Sequence, residues 1–430
     1  MNYQSRLLSA IPGGAHTYSR GFDQFPTNAP QILDHGKGAY VYTPEGQKFL
    51  DYGMALRAVT IGYAEDEIDE AAFHEIKKGN NLTRPSTVEL DAAEKLIDLI
   101  DSVEMVKFTK NGSTAVTAAV KLARAFTGRE LIARCADHPF FSFDDWFIGS
   151  TVIPRGTTVD NQTKTKTFNY NDIGSLETLI SAFPNQFACV VMEAETSVEP
   201  LPGFLKGVEK LCRDNGILFI LDEMITGFRW NLKGAQATYG LNPDLSTFGK
   251  AMANGYSLAC VGGRRDVMQL GSIEFEGAER VFLLSSTHGA EMASLGAFLA
   301  TTNYLENHSV IDHLDMYGSR LKDTLASLAR EHSLERYFVV GGPNCSPFFQ
   351  LQDEAGMVSL PLRTLFMQEM IKNGVLMPWI ALCQHHGDRE LEITREAANN
   401  SLKVIAMALS EGVENYLHGP AVKPVFRKFN

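Results

Sequence analysis

Cysteine and tryptophan are scarce in this chain, six and three among 430 residues. The cysteines, at positions 135, 189, 212, 260, 345 and 383, include no C-x-x-C pair and no metal-ligand spacing. That pattern excludes a disulfide framework and suits reduced thiols that fill a core in a cytoplasmic compartment. No apolar run reaches the roughly 20 residues that a membrane span requires. The opening MNYQSRLLSAIPGG has neither a continuous apolar stretch nor a small-residue cleavage site, so we expect a soluble chain that is not exported. Positive charge is in deficit too: 39 Lys and Arg against 51 Asp and Glu give a formal net charge of −12. This counts against a binder of nucleic-acid backbones or anionic membranes and leaves small molecules as the expected partners. A strand-turn-helix G-x-G-x-x-G is missing, which removes a dinucleotide-binding dehydrogenase. With no repeats and no low-complexity tract, what remains is a globular chain, 44% apolar and long enough for two domains.

What the chain does have is short apolar runs. Between about residues 90 and 265, Met105–Phe108, Leu131–Arg134, Ala188–Met192, Ile217–Leu221 and Leu258–Gly262 have the length of buried strands. Segments of helical period such as Phe204–Asn215 lie between them. The alternation predicts an α/β fold, a largely parallel sheet wrapped by helices. Residues 38–47 predict two strand pieces around a turn, and helix and strand pieces return after about residue 310. We expect the two ends to pack as a smaller α+β domain, residues 1–60 with 310–430, and residues 61–309 to form the large one.

The apolar run before Asp222 and Glu223 raises a question of charge. Ligands of open α/β sheets sit at the C-terminal ends of strands, and a buried, ionised Asp there needs a cationic partner such as a metal, an Arg or a protonated ring nitrogen. Downstream, Lys250 stands alone in Phe248-Gly249-Lys250-Ala251-Met252, as suits an amine kept nucleophilic by partial desolvation. Taken singly, it reads as an ordinary solvated lysine in a loop. A third stretch, Phe108–Ala115, leads from a strand into a helix through Gly112, Ser113 and Thr114, whose amides and hydroxyls suit a phosphate. Taken singly, it is a helix cap. Together the three describe pyridoxal 5'-phosphate (PLP): Gly112, Ser113 and Thr114 for the phosphate, Asp222 for the pyridinium nitrogen, Lys250 for the aldehyde.

On these residues the chain resembles, along nearly its whole length, the class III, fold type I PLP-dependent aminotransferases, and among them the glutamate-1-semialdehyde aminomutase branch. The matching stretches run in order from Ile11-Pro12-Gly13-Gly14 through Lys121–Arg129, Pro202–Leu205 and Asp222–Arg229 to Thr247-Phe248-Gly249-Lys250. The resemblance implies a homodimer with its active sites at the subunit interface, Thr287 reaching the phosphate bound by the neighbouring subunit. It implies Glu193 and Asp222 near the ring and Met224 on one ring face, where relatives often carry Val. The family cup Ser-Gly-Thr-Glu becomes Asn111-Gly112-Ser113-Thr114 here. Asp137-His138-Pro139-Phe140 stands where relatives stack the aromatic of a Tyr-His-Gly run, making His138 the stacking candidate and Phe140 the alternative. The branch's Trp-Gly substrate wall is replaced by Leu56-Arg57, and Arg20 falls where the branch holds its substrate carboxylate. Arg20 and Arg57 are therefore the expected forks for a substrate acid group; their plainer readings are a capped turn and a salt bridge.

The resemblance thus implies a transaminase with Lys250 and Asp222 as catalytic residues. By the same resemblance the enzyme would move the amino group of glutamate to an oxidised acidic sugar of the 8-oxo-3-deoxy-octulosonate type, giving 8-amino-3,8-dideoxy-manno-octulosonate for lipopolysaccharide. Two other classes stand beside it: the aminomutase itself, an isomerase that needs no outside donor, and a PLP-binding regulatory protein without turnover. No metal is expected. His385-His386 with Asp388 and Glu390 has the composition of a metal site, but adjacent side chains on an extended segment point to opposite faces. Glu223 reads as structural, with an arginine such as Arg229 as its partner.

Overall fold

The strand-length runs become a seven-stranded sheet in a computed structural model that describes residues 2–430. Its strands are β1 (Met105–Thr109), β2 (Leu131–Cys135), β3 (Thr165–Phe168), β4 (Phe187–Met192), β5 (Leu218–Asp222), β6 (Leu245–Phe248) and β7 (Ala259–Gly263). The spatial order is β1-β7-β6-β5-β4-β2-β3. Neighbours pair in parallel except at β7, which is antiparallel to both β1 and β6. Two strands lie outside the expected runs: β3, Thr-Lys-Thr-Phe, leaves its middle residues at least partly exposed, and β6, Leu-Ser-Thr-Phe, is buried throughout but interrupted by hydroxyls.

Both faces of a parallel sheet are covered by its crossover helices, and β4 and β5 are accordingly buried at every position. The helix Phe204–Asp214 buries Phe204, Leu205, Val208, Glu209 and Cys212, one stripe of a 3.6-residue period. That stripe joins Val190, Met192, Phe219 and Leu221 of the sheet in one core, each fully buried apolar side chain contributing about 1.5–3 kcal/mol. The helix Gly112–Thr127 follows β1, opened by an Asn111 cap and closed by Gly128 at φ 66°, the left-handed position that glycine fills without strain. All of these elements belong to one compact unit, residues 66–311. Among the described residues no helix is long and apolar enough to cross a membrane, and the six cysteines are buried.

Residues up to 65 together with 312–430 form a second compact unit. Its four-stranded sheet joins the two ends of the chain. His35–Lys37, Tyr40–Tyr42 and Lys48–Asp51 run antiparallel, and Val375–Leu376 adds in parallel beside Lys48–Asp51. Val41, Phe49, Ile371 and Leu376 form a core there. Directly after Lys48–Asp51 the backbone turns in a way that L-residues avoid: φ is 39°, 48°, 63° and 68° at Met54, Ala55, Leu56 and Arg57. A left-handed turn costs about 1–2 kcal/mol per residue.

Candidate active site

β5 is flanked on both sides by parallel strands, so Asp222 ends it while still only 2% exposed. Burial pushes its carboxyl up from 3.8 to about 6, against the pull of the Met224 amide, the Lys250 charge and the Thr247 hydroxyl. The Met224 amide and the Thr247 hydroxyl both donate to Oδ1, at 3.0 Å each, so the second oxygen keeps its acceptor capacity. Thr247 stands opposite Asp222 in the β5–β6 ladder. Three residues on, just past the end of β6, Lys250 is held at φ 46°, a conformation that persists only where the surroundings over-determine it.

The cup is built from a helix start. Asn111 Oδ1 accepts the Thr114 amide at 2.9 Å and its hydroxyl at 3.0 Å, and the Ser113 hydroxyl oxygen accepts the Phe143 amide at 3.2 Å. The first-turn amides of Gly112 and Ser113 lie among those that no helix satisfies internally, which is what makes a helix start an anion site. Met224 ties the cup to the lysine segment. A Cβ on Gly112 would lie 2.8 Å from its Sδ, and a Cβ on Gly249 2.6 Å from the same atom, while Ala115 and Ala259 pack around it. Both glycines make room for one thioether.

Comparison with known proteins agrees with this geometry. Residues 23–341 match the family model "Aminotransferase class-III". A 3-aminobutyryl-CoA aminotransferase from Cloacimonas acidaminovorans (strain Evry) is 33% identical over 410 residues, 93% of this chain and 95% of that one. The chain belongs to the class III aminotransferases. Solved structures share the fold of this class III aminotransferase. A FumI protein of Sphingopyxis sp. MTA144 with PLP has a TM-score of 0.86 at 24% identity, covering 95% of this chain and 96% of that one. A glutamate-1-semialdehyde-aminomutase of Pseudomonas aeruginosa PAO1 has a TM-score of 0.82 at 20% identity, covering 93% of each.

PLP is the cofactor of class III aminotransferases, and the residues here fit it. An acid buried at a strand end with spare acceptor capacity meets the charge of a lysine, and a cup helix starts on a glycine that leaves no room for a Cβ. Of the other expected residues, His138 is 1% exposed, set edge-on to Phe141 at 6.0 Å and tilted against Tyr170 at 5.2 Å. Its Nδ1 accepts the Glu193 amide at 3.0 Å, and burial holds the ring neutral, its value lowered to about 4. Phe140, the alternative, is 47% exposed. Thr287 is exposed, its carbonyl accepting Asn81 Nδ2 at 2.8 Å.

In the second unit, Arg20 lines a cavity of about 650 Å³, and the Arg57 guanidinium lies 5.9 Å from the Trp379 ring centroid. His385 and His386 part company there: His385 Nε2 meets Glu65 at 2.9 Å, whereas His386 is fully buried and stacks on Tyr52 at 4.5 Å.

One expectation is corrected. Glu223 is structural, but its partners are the amides of Ala235 at 2.9 Å and Gln236 at 2.8 Å and the Thr226 hydroxyl, not a guanidinium. It pins the start of the short helix Ala235–Thr238, where Gly234 at φ 81° would drive a Cβ into the carboxylate. Sequence reasoning also passed over Thr247, whose role depends on strand register, and over Lys110, whose Nζ binds Glu291 at 2.6 Å and Ser294 at 3.0 Å.

Proposed function

We propose that this aminotransferase takes the amino group of glutamate and delivers it to an oxidised acidic sugar of the 8-oxo-3-deoxy-octulosonate type, giving 8-amino-3,8-dideoxy-manno-octulosonate for lipopolysaccharide. The observation that carries the chemistry is Asp222, buried at the end of β5, with Lys250 just past the end of the strand that pairs beside it. Bound PLP supplies an electron sink and a carrier for the amino group. Asp222 would hold the proton on the ring nitrogen, using the oxygen to which Met224 and Thr247 do not donate. Gly112, Ser113 and Thr114 would hold the phosphate, and Met224, His138 or Phe140, and Glu193 would hold the ring. Lys250, as base and then as acid, would move a proton from the substrate carbon to the cofactor carbon next to the ring, and in the reverse half would move one from that carbon back to the acceptor carbon. Arg20, with Arg57, receives the acid group of the acceptor. A second copy of the chain supplies Thr287 to the phosphate, so the working form is a cytoplasmic homodimer.

The relative at 33% identity favours a second reading, in which the acceptor is a 3-oxoacyl thioester. The two are separated by offering glutamate with oxidised octulosonate, with 3-oxobutyryl-CoA and with glutamate-1-semialdehyde in parallel, and detecting 2-oxoglutarate and aminated product by mass. Aminated octulosonate is the expected product. Amination of the thioester alone replaces the first reading with the second, and rearrangement of the semialdehyde without glutamate replaces both with the isomerase. Lys250→Ala is expected to abolish turnover and the visible absorbance of lysine-bound cofactor; retained steady-state activity would sink the assignment.

A further inference from the structure

The left-handed turn Met54–Arg57 is costly, and glycine would remove that cost. Glycine stands at position 53 but at none of the four that follow. The side chains are therefore retained against the backbone's preference, and the surroundings show how. Asp51, 4% exposed, accepts the Gly53 amide on Oδ1 at 2.7 Å, and on Oδ2 the Met54 amide at 3.0 Å and the Tyr63 hydroxyl at 2.7 Å. The Tyr63 oxygen in turn accepts the Ala55 amide at 2.7 Å. Trp379 Nε1 donates to the Gly53 carbonyl at 3.0 Å. Beneath the turn, the Tyr52 hydroxyl lies 2.6 Å from that of Tyr317 and 2.7 Å from that of Thr394. Three consecutive amides, 53 to 55, are thus fixed by one carboxylate and one phenol.

The clamped segment faces a space. Asp51, Gly53, Ala55, Leu56, Tyr63 and Trp379 all line the cavity of about 650 Å³ that Arg20 also lines, and Arg57 is held over Trp379. Strain that is over-determined in this way concentrates where a surface must be held in one shape. We infer that Asp51 and Tyr63 are positioning residues for acceptor recognition: they lock the left-handed turn so that Ala55 and Leu56 wall the cavity that Arg20 lines and Arg57 stays against Trp379. This rests on the function proposed above and adds to it the device that sets acceptor specificity.

The test uses the PLP-loaded enzyme with glutamate and oxidised octulosonate. Tyr63→Phe removes the bridge between Asp51 and the Ala55 amide; it is expected to raise KM for the acceptor roughly ten-fold, with kcat at saturating acceptor falling less, because displacement of a binding wall is felt in positioning. Ala55→Gly relieves one strained residue; it is expected to raise the melting temperature while also raising acceptor KM. A fall in kcat with acceptor KM unchanged in Tyr63→Phe overturns the inference. So does a more stable Ala55→Gly with unaltered acceptor KM, or one that melts no higher than the parent. Absence of 2-oxoglutarate from the wild type is a different failure: it overturns the proposed function itself, and is recognised without either variant.

Discussion

Asp222→Asn separates what the carboxylate costs the empty protein from what it contributes to the loaded one. Burial raises the Asp222 carboxyl from 3.8 to about 6, which corresponds to about 3 kcal/mol in favour of the neutral acid. For a group whose value is raised on folding, the stability is fully present below 3.8 and is lost as pH rises through 6. Protein stripped of cofactor at pH 7 has therefore given up about 3 kcal/mol at this one position. Asparagine cannot ionise and keeps the acceptor for Met224 and Thr247, so the stripped variant should be more stable than the stripped wild type at pH 7. The gain should reach about 2 kcal/mol once the cost of burying an extra amide N–H, about 1 kcal/mol, is set against it. The difference should shrink as pH falls and change sign near about pH 4.5, below which the wild type's neutral acid no longer carries the penalty. With PLP bound the order should reverse, because only the carboxylate can pair with a protonated ring nitrogen. Urea unfolding of both proteins, stripped and loaded, at pH 4, 5.5 and 7 measures all of this. A stripped variant that is less stable at pH 7, or a difference that does not move with pH, would refute the reasoning.

Other outcomes follow from the same site. Glu223→Ala leaves the Ala235 and Gln236 amides buried without an acceptor and should cost roughly 3 kcal/mol in unfolding free energy, measured by urea titration. Gly112→Ala should weaken PLP binding through the 2.8 Å approach to Met224 Sδ, and adding Met224→Val should restore part of it; a double-mutant cycle by cofactor titration should show coupling of about 1 kcal/mol. His138 is held neutral by burial, its value lowered to about 4. Its contribution is present above the unfolded value of 6.5 and lost as pH falls through 4, so His138→Asn should flatten acid unfolding in that window by about 3 kcal/mol.

The parts of the site legible in the sequence were those written as composition within one segment. An apolar run ending on Asp222 marks a buried acid, a lysine alone among apolar and glycine residues marks an amine set apart, and Asn-Gly-Ser-Thr marks a helix start. What escaped was carried by register and long-range packing. Thr247 acquires its role because β6 aligns it with Asp222, and Leu-Ser-Thr-Phe lacks the apolar continuity that announces a strand. Glu223 was correctly separated from Asp222 by strand alternation, yet its partners lie twelve and thirteen residues on, at a helix start, a distance that pairing rules for charges do not anticipate. The left-handed turn is invisible in the sequence because Met-Ala-Leu-Arg is an ordinary right-handed helix sequence; Asp51, Tyr63 and Trp379, brought together by the fold, hold it the other way.

The antiparallel strand β7 carries a consequence for assembly order. Strands β2 to β6 pair with neighbours close along the chain, but β1, which leads into the cup helix, pairs only with β7, setting Thr109 opposite Ala259. Closing so long a loop is entropically costly and slow. During synthesis the cup residues emerge early and must wait, without their strand partner, until residue 263 has left the ribosome. A chain halted between Lys250 and β7 would hold Asp222 and Lys250 and yet leave the strand that leads to Gly112, Ser113 and Thr114 unpaired, so this end of the sheet is completed last.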